Sequence, residues 1–311
     1  MQHNSKLLKL FTFIIAVASM MAFTVISVQN KQAKTTDLAC CHIDGEDNPY
    51  AAIEEFADLT YDDEFIGSHE LPTTVSNHTY AGKVIEYATP DGKKAKAYVN
   101  MANRKSNNYL FVIHEWWGLN DNVKKEADQL FKDLKKMKVN VVALDLYDGK
   151  VATTRENAGK YMRGTKPKRA AAIINGAIKM ANEKSKEAGK GKAKIGTIGW
   201  CFGGGWSLQS SILAGDQGIG CVMYYGMPEK DESRLKMLKA DVLGIFAKKD
   251  RWINPKVVGQ FEQRMKNVGK KVKVHQYDAD HAFANPSSPR YAEKAAKDAY
   301  AKTMKFFKKR F

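Results

Sequence analysis

The chain has 311 residues, 44% of them hydrophobic, four cysteines and a formal net charge of +16. That length suits one large α/β domain with extensions, or two small domains, and is ample for a sizeable core. Cys40, Cys41, Cys201 and Cys221 are too few and too unevenly spaced for a disulfide scaffold or a zinc site, and lysines scattered over helical surfaces without a recognised binding motif do not describe a nucleic-acid-binding protein.

Residues 10–28 form a mostly apolar run of 19 positions, preceded by Lys6 and Lys9 and followed by Lys31 and Lys34. Region 1–34 is therefore expected to be an export signal or a membrane anchor, which places the rest of the chain outside the cytoplasm, periplasmic or extracellular. From Thr35 to Gly82 there are eleven Asp or Glu and no Lys or Arg. With short apolar patches at Ile53, Phe56 and Phe65, residues 35–82 read as an acidic extension packed loosely on the domain formed by residues 83–311; Asn77-His78-Thr79 within it fits a glycosylation sequon. Residues 83–311 carry 46 Lys or Arg against 23 Asp or Glu. That basic body either attracts anionic substrates or surfaces, or simply keeps the protein soluble.

Residues 83–87 and 95–99 flank the turn sequence Pro90-Asp91-Gly92 and predict a hairpin. Leu110 to Ile113 is a short continuous apolar run, a strand buried on both faces. Val123, Ala127, Leu130, Phe131 and Leu134 then recur at helical spacing, and residues 139–144 are the next strand. A long basic helix over 167–188 precedes a strand at 195–198 and a helix at 203–213. Strands at 221–225, 242–246 and 272–277 alternate with helices at 233–238, 255–268 and 291–307. Such alternation predicts an α/β fold with a mainly parallel central sheet and helices on both faces, whose ligand crevice lies beyond the carboxyl ends of the strands.

The residues expected at those ends carry chemistry. Gly199-Trp200-Cys201-Phe202-Gly203 is a strand-to-helix elbow with a thiol in the nucleophile position. Asp250 follows the strand at 242–246 and His281 the strand at 272–277, giving the order nucleophile, acid, base. His281 can take the thiol proton and return it to a leaving group if a carboxylate fixes its other ring nitrogen. Asp250 suits that task, with Asp278 and Asp280 as competitors. His114-Glu115-Trp116-Trp117-Gly118 follows a neighbouring strand. There the backbone N–H groups of Trp116 and Phe202 can form an oxyanion hole, while Glu115 near a thiol raises its pKa.

These motifs, together with Asp145-Leu146-Tyr147, the stretch Asp250 through Pro255, and Tyr277 through Phe283, give residues 83–311 a resemblance to the dienelactone hydrolases. The resemblance implies an α/β-hydrolase fold and a Cys201-Asp250-His281 triad that cleaves a small-molecule ester or lactone through an acyl-thioester. It implies further that Glu115 keeps the resting thiol protonated, that Trp117, Tyr147 and Phe283 bind substrate, and that no metal or organic cofactor takes part. Family members hold the dienelactone carboxylate with two arginines, one shortly after the Asp-Leu-Tyr motif and one shortly after the base. Here Asp148-Gly149-Lys150 and Asn285 stand at those places, so Lys150 or Arg290 must substitute or the acyl group differs. A thioesterase or peptidase on this fold, and a binding protein that uses the basic face, are the alternatives. No nucleic-acid partner is expected, and residues 10–28 are the one candidate for membrane attachment.

Overall fold

The structure, a computed structural model, describes residues 48–72, 78–102 and 105–311. The candidate signal or anchor at 10–28, Cys40, Cys41 and Asn77 of the sequon lie outside the described residues. Residues 49–311 form one compact unit, which takes in a large part of the acidic stretch together with everything from residue 83 onward. Among the described residues no helix is long and apolar enough to cross a membrane.

Eight strands form one sheet: β1 (Lys83–Ala88), β2 (Lys94–Asn100), β3 (Asn108–Ile113), β4 (Asn140–Leu144), β5 (Lys194–Trp200), β6 (Gly218–Tyr224), β7 (Val242–Ala247) and β8 (Val272–Tyr277), in the order β1-β2-β4-β3-β5-β6-β7-β8. The β1–β2 and β2–β4 pairs are antiparallel and the rest parallel. This is the expected α/β architecture. β4 is buried at every position, as are residues 109–113 of β3 and 195–200 of β5, because helices cover both faces and leave no side for polar residues.

The helices in chain order are α1 (Ala51–Asp58), α2 (Asp63–Ser68), α3 (Asp121–Asp133), α4 (Arg155–Gly164), α5 (Pro167–Glu187), α6 (Phe202–Ala214), α7 (Glu232–Met237), α8 (Pro255–Asn267) and α9 (Glu293–Lys308). Local signals set their starts: Asn120 accepts from Val123 N–H to begin α3, Thr154 from Asn157 N–H to begin α4, and Asn254 from Lys256 and Val257 N–H ahead of Pro255 in α8. α6 differs from the others in being buried almost all round. It is the central helix, and Cys201 is the residue on which it starts.

The described residues 50–70 of the acidic stretch are not loosely packed. Ile53, Phe56 and Phe65 are 4%, 1% and 0% exposed, sunk into the body, while the acidic side chains pair at the rim: Glu55 with Lys230, Glu64 with Arg251. Arg163 donates to the Thr60 carbonyl at 2.7 Å and Trp252 Nε1 to Asp62 Oδ2 at 3.3 Å. The sequence hid this because the turn-rich composition of residues 50–70 has no long helical period; α1 and α2 span only eight and six residues. Helices this short hold only through docking.

The elbow depends on glycine. A Cβ on Gly199 would lie 2.0 Å from the Gly203 carbonyl oxygen, and one on Gly203 2.3 Å from that of Ile113. Backbone, not flexible side chain, fills that space. Gly199→Ala is therefore expected to destabilise the protein by about 3 kcal/mol or more, read as a fall in the urea midpoint at unchanged slope. A change under about 0.5 kcal/mol would mean the elbow has slack that these contacts do not allow.

Candidate active site

Strand register brings the parts together. Ile113 of β3 pairs with Gly199 of β5, so the 114–118 loop leaves the sheet beside the elbow. Ala247 of β7 pairs with Tyr277 of β8, and Lys249 N–H donates to the Ala279 carbonyl at 3.0 Å, so the loops bearing Asp250 and His281 run side by side. Cys201 has φ 54° and ψ −121°, a conformation that L side chains rarely adopt. Its N–H is held by the Tyr224 carbonyl at 3.0 Å and its own carbonyl by Gly204 N–H at 2.9 Å, so the strained turn is over-determined by its surroundings.

Asp250 takes the bond to the imidazole. Its Oδ2 accepts from His281 Nδ1 at 2.6 Å, and its Oδ1 accepts from Trp252 N–H at 3.0 Å and Ile253 N–H at 2.9 Å. Burial works to raise the Asp250 carboxyl, but His281 and the two N–H donors outweigh it and hold the group below its ordinary value. Asp278, the rival carboxylate, is exposed and pairs with Lys249 at 3.3 Å. With Nδ1 committed as donor, His281 Nε2 faces inward, where it has no hydrogen-bond partner. Burial alone would lower this ring's pKa; the Asp250 carboxylate and Cys201 reverse that and raise it. The Cys201 thiol is raised, first by burial and further by Glu115, against the pull of His281 and the Phe202 N–H.

Glu115 accepts from Asn285 Nδ2 at 2.7 Å through Oε2, while Oε1 is enclosed without a partner. Burial lifts its carboxyl to about 7, opposed by His281 and Asn285. A carboxyl raised on folding stabilises the folded state relative to its ionised form below the unfolded pKa of about 4.3, and loses that advantage as pH climbs through about 7. Glu115→Gln keeps the acceptor for Asn285 and cannot ionise. It is expected to match wild type in urea stability at pH 4 and exceed it by about 1–3 kcal/mol at pH 8; equal curves at both values would refute a raised Glu115.

The neighbouring loop is locked by His114. Its Nδ1–H donates to the Glu115 carbonyl at 2.6 Å and its Nε2 accepts from Leu146 N–H at 3.1 Å, tying the Glu115 motif to Asp145-Leu146-Tyr147. Trp116 and Trp117 are buried against each other, ring centroids 4.8 Å apart. Tyr147 packs on Phe202 at 5.3 Å and Phe283 on Tyr277 at 5.1 Å. Of the three expected substrate-binding side chains, Trp117 lines the cavity at the thiol; Tyr147 and Phe283 do not, because both rings are absorbed into aromatic packing. Lys150, one possible stand-in for a family arginine, lies over the Tyr161 ring, 5.6 Å from its centroid.

Sequence reasoning does not single out His69. It sits in the polar triplet Ser68-His69-Glu70 at the end of α2, where nothing local marks it. Yet its Nε2 lies 3.8 Å from Cys201 Sγ, and its ring is 4.5 Å from Trp116 and 5.1 Å from His281. Arg155, at the start of α4, holds its carbonyl at 2.7 Å. Burial, then the charge of His281, lowers its pKa to about 3, so it is neutral throughout the ordinary range. It lies against the thiol, and the Phe65 ring packs on its own, centroids 4.4 Å apart. Cys201 is 2% exposed, and the cavity beside it measures about 20 Å³. A far larger cavity of about 1250 Å³ lies beyond Glu115 and Asn285 between α3 and α9, lined by Trp200, Tyr224, Tyr300 and Lys132.

Residues 96–311 match the model of the dienelactone hydrolase family. The chain is 28% identical over 235 residues to Protein usf of Aquifex pyrophilus, covering 73% of this chain and 98% of that protein. It is 28% identical over 120 residues to a carboxymethylenebutenolidase of a Pseudomonas species, covering 37% of this chain and 48% of that protein. Among solved structures, a dienelactone hydrolase-like promiscuous phosphotriesterase from metagenomic libraries superposes with a TM-score of 0.61 at 16% identity, over 74% of this chain and 99% of that one.

Proposed function

Because the chain belongs to the dienelactone hydrolase family, whose members cleave esters and lactones, we propose that it hydrolyses its substrate through an acyl-thioester on Cys201. One arrangement carries this reading: the His281 ring, fixed by Asp250 at 2.6 Å, turns an unpartnered Nε2 toward the buried thiol at the elbow. In the first half-reaction the thiol proton passes to His281 Nε2 as Sγ attacks the carbonyl carbon. The oxygen that becomes negative is received by the backbone N–H groups of Phe202 and Trp116. Collapse breaks the bond to the leaving oxygen, which takes the proton from His281 and departs as an alcohol, or stays attached if the substrate is a lactone.

In the second half-reaction His281 takes a proton from water, the hydroxide attacks the thioester, and the acid leaves as the thiol regains its proton. Asp250 keeps the ring in the tautomer this needs and offsets the charge of the imidazolium. Glu115 raises the thiol pKa at rest, so the nucleophile is held as the neutral thiol until substrate arrives. The substrate class is a carboxylic ester or lactone without the two-arginine carboxylate clamp, and export through region 1–34 remains part of the proposal.

The test is to mix the purified full-length protein with a panel of esters and lactones, quench in acid and map the mass of the Cys201 peptide. An acyl adduct on Cys201 is the expected result. Turnover with an adduct on another side chain, or turnover in Cys201→Ala protein, would remove the proposed nucleophile.

A further inference from the structure

His69 changes what the thiol and the imidazole can do together. The ligand atoms of His69, Cys201 and His281 all lie within 4.8 Å of one another, and all three residues are buried. The geometry points to a three-ligand site for a zinc-like d¹⁰ divalent cation, built from the thiolate of Cys201 and the Nε2 atoms of both imidazoles, whose occupation switches hydrolysis off reversibly. The silencing by the cation rests on Cys201 as the nucleophile; its binding does not.

Both imidazoles are already set in the tautomer a cation requires. His281 Nδ1 is 2.6 Å from Asp250 Oδ2 and His69 Nδ1 is 2.7 Å from the Phe65 carbonyl oxygen. Neither acceptor has a proton to give, so each Nδ1 is the donor and each Nε2 is the nitrogen left for an ion, His281 giving up any proton it holds there when the ion binds. An imidazole whose far nitrogen is tied to a carboxylate or a backbone carbonyl is the usual support of a metal-binding histidine. His281 Nε2 has no other partner.

The spacing also suits zinc. With Zn–N near 2.0–2.1 Å and Zn–S near 2.3 Å, donors around a tetrahedral ion lie roughly 3.3–3.6 Å apart. The Sγ to His69 Nε2 distance is 3.8 Å, and the rest of the cluster falls within 4.8 Å, so side-chain rotations of about an ångström close it on an ion. Charge balances as well: the thiolate in direct contact and the Asp250 carboxylate behind His281 offset the two positive charges. The cavity of about 20 Å³ lined by His69 and Cys201, reached also by Glu115 and Ser287, has room for one water as fourth ligand. Two imidazoles and a thiolate favour zinc over harder cations such as magnesium, which prefer oxygen.

Two of these ligands are the proposed nucleophile and base. A cation on them occupies the Sγ lone pair that would attack and the Nε2 lone pair that would take the proton, so the loaded protein cannot start the reaction. Binding displaces the thiol proton to solvent, and a chelator that removes the ion restores both groups unchanged, with no oxidant or reductant involved. The third ligand comes from outside residues 96–311 that match the family. Without His69 only a two-ligand pair remains.

The test uses the metal-free full-length protein and its His69→Ala and His69→Cys variants, each checked for wild-type circular dichroism. Zinc affinity is measured by competition with a chromophoric chelator, and Co²⁺ is added separately to look for the near-ultraviolet thiolate-to-cobalt band. The expected result is one zinc per chain, a thiolate band in wild type, affinity lowered at least about 100-fold in His69→Ala, and substantial recovery in His69→Cys, which restores a ligand. Equal zinc affinity in wild type and His69→Ala overturns the site. Ester turnover is followed in the same samples. Turnover that persists at saturating zinc, with the ion bound through His69, overturns the silencing and leaves the binding site standing. Zinc binding with the His69 dependence in a protein that forms no Cys201 acyl adduct supports the site while removing the catalytic reading. A Cys201 acyl adduct with no His69-dependent zinc binding does the reverse.

Discussion

Cys201→Ala is expected to lower kcat/KM on an activated short-chain ester by at least about 10⁴-fold, and the same loss is expected for His281→Ala. A factor of 10⁴ corresponds to about 5.5 kcal/mol of transition-state stabilisation, more than a packing defect at this site would account for, since a Cys to Ala change removes a single sulfur. In the proposed scheme the two substitutions act on one proton transfer. The Cys201→Ala/His281→Ala double variant should therefore be no slower than either single variant, because removing the base costs nothing once the nucleophile is gone. Losses that multiply instead would mean the two residues serve separate steps, and near wild-type rates in either single variant would end the covalent scheme.

The second large effect concerns access. Phe65 is fully buried, its ring 5.7 Å from Phe56, 4.4 Å from His69, 6.0 Å from Trp116 and 5.0 Å from Trp252. Removing such a ring costs about 3–5 kcal/mol. Because α2 is six residues long and docks on a body with its own sheet and core, that cost is expected to fall on local opening and not on the whole fold. A shift of about 3 kcal/mol raises the open population roughly 10²-fold. Phe65→Ala should accelerate alkylation of Cys201 by a bulky maleimide by about that factor while moving the midpoint of global unfolding by only a few degrees. Unchanged alkylation with a large fall in the midpoint would show that residues 50–70 are inseparable from the core.

Much of the architecture is legible because its signals are local. The runs at 110–113 and 141–144 are apolar without alternation, as strands covered on both sides must be, and Asn254-Pro255 marks a helix start by capping and fixed φ. The order Cys201, Asp250, His281 follows from the strands that deliver them, and the site geometry brings Asp250, not Asp278 or Asp280, to the imidazole. The α4 helix gives no such signal: Arg155–Gly164 contains two glycines and many polar residues, and only Ala158, Gly159 and Met162 are buried. His69 is illegible for another reason. What makes it part of the site is a thiol 132 positions away, and neither period nor composition carries information over that span. The apolar patches Ile53, Phe56 and Phe65 are visible in the sequence but their tight docking is not, because charge density suggests solvation unless the opposing cations, Lys230 and Arg251, are known to meet it.

The separations across the cover have a consequence for how the protein is made. Its contacts with the body join residues 132, 175 and 190 positions apart, His69 to Cys201, Glu55 to Lys230 and Asp62 to Trp252. A ribosome delivers Phe65 and His69 before the body residues they dock on, and of those Cys201, Trp252 and His281 come late. Segments of eight and six helical residues cannot hold their shape while they wait. Docking must come after assembly of the sheet, since contacts this distant in sequence are gained only once the intervening chain has closed. Each newly made molecule is thus expected to pass through a stage in which the elbow and the loops bearing Asp250 and His281 are assembled and the thiol still faces solvent, with closure over Cys201 as the final act of its folding.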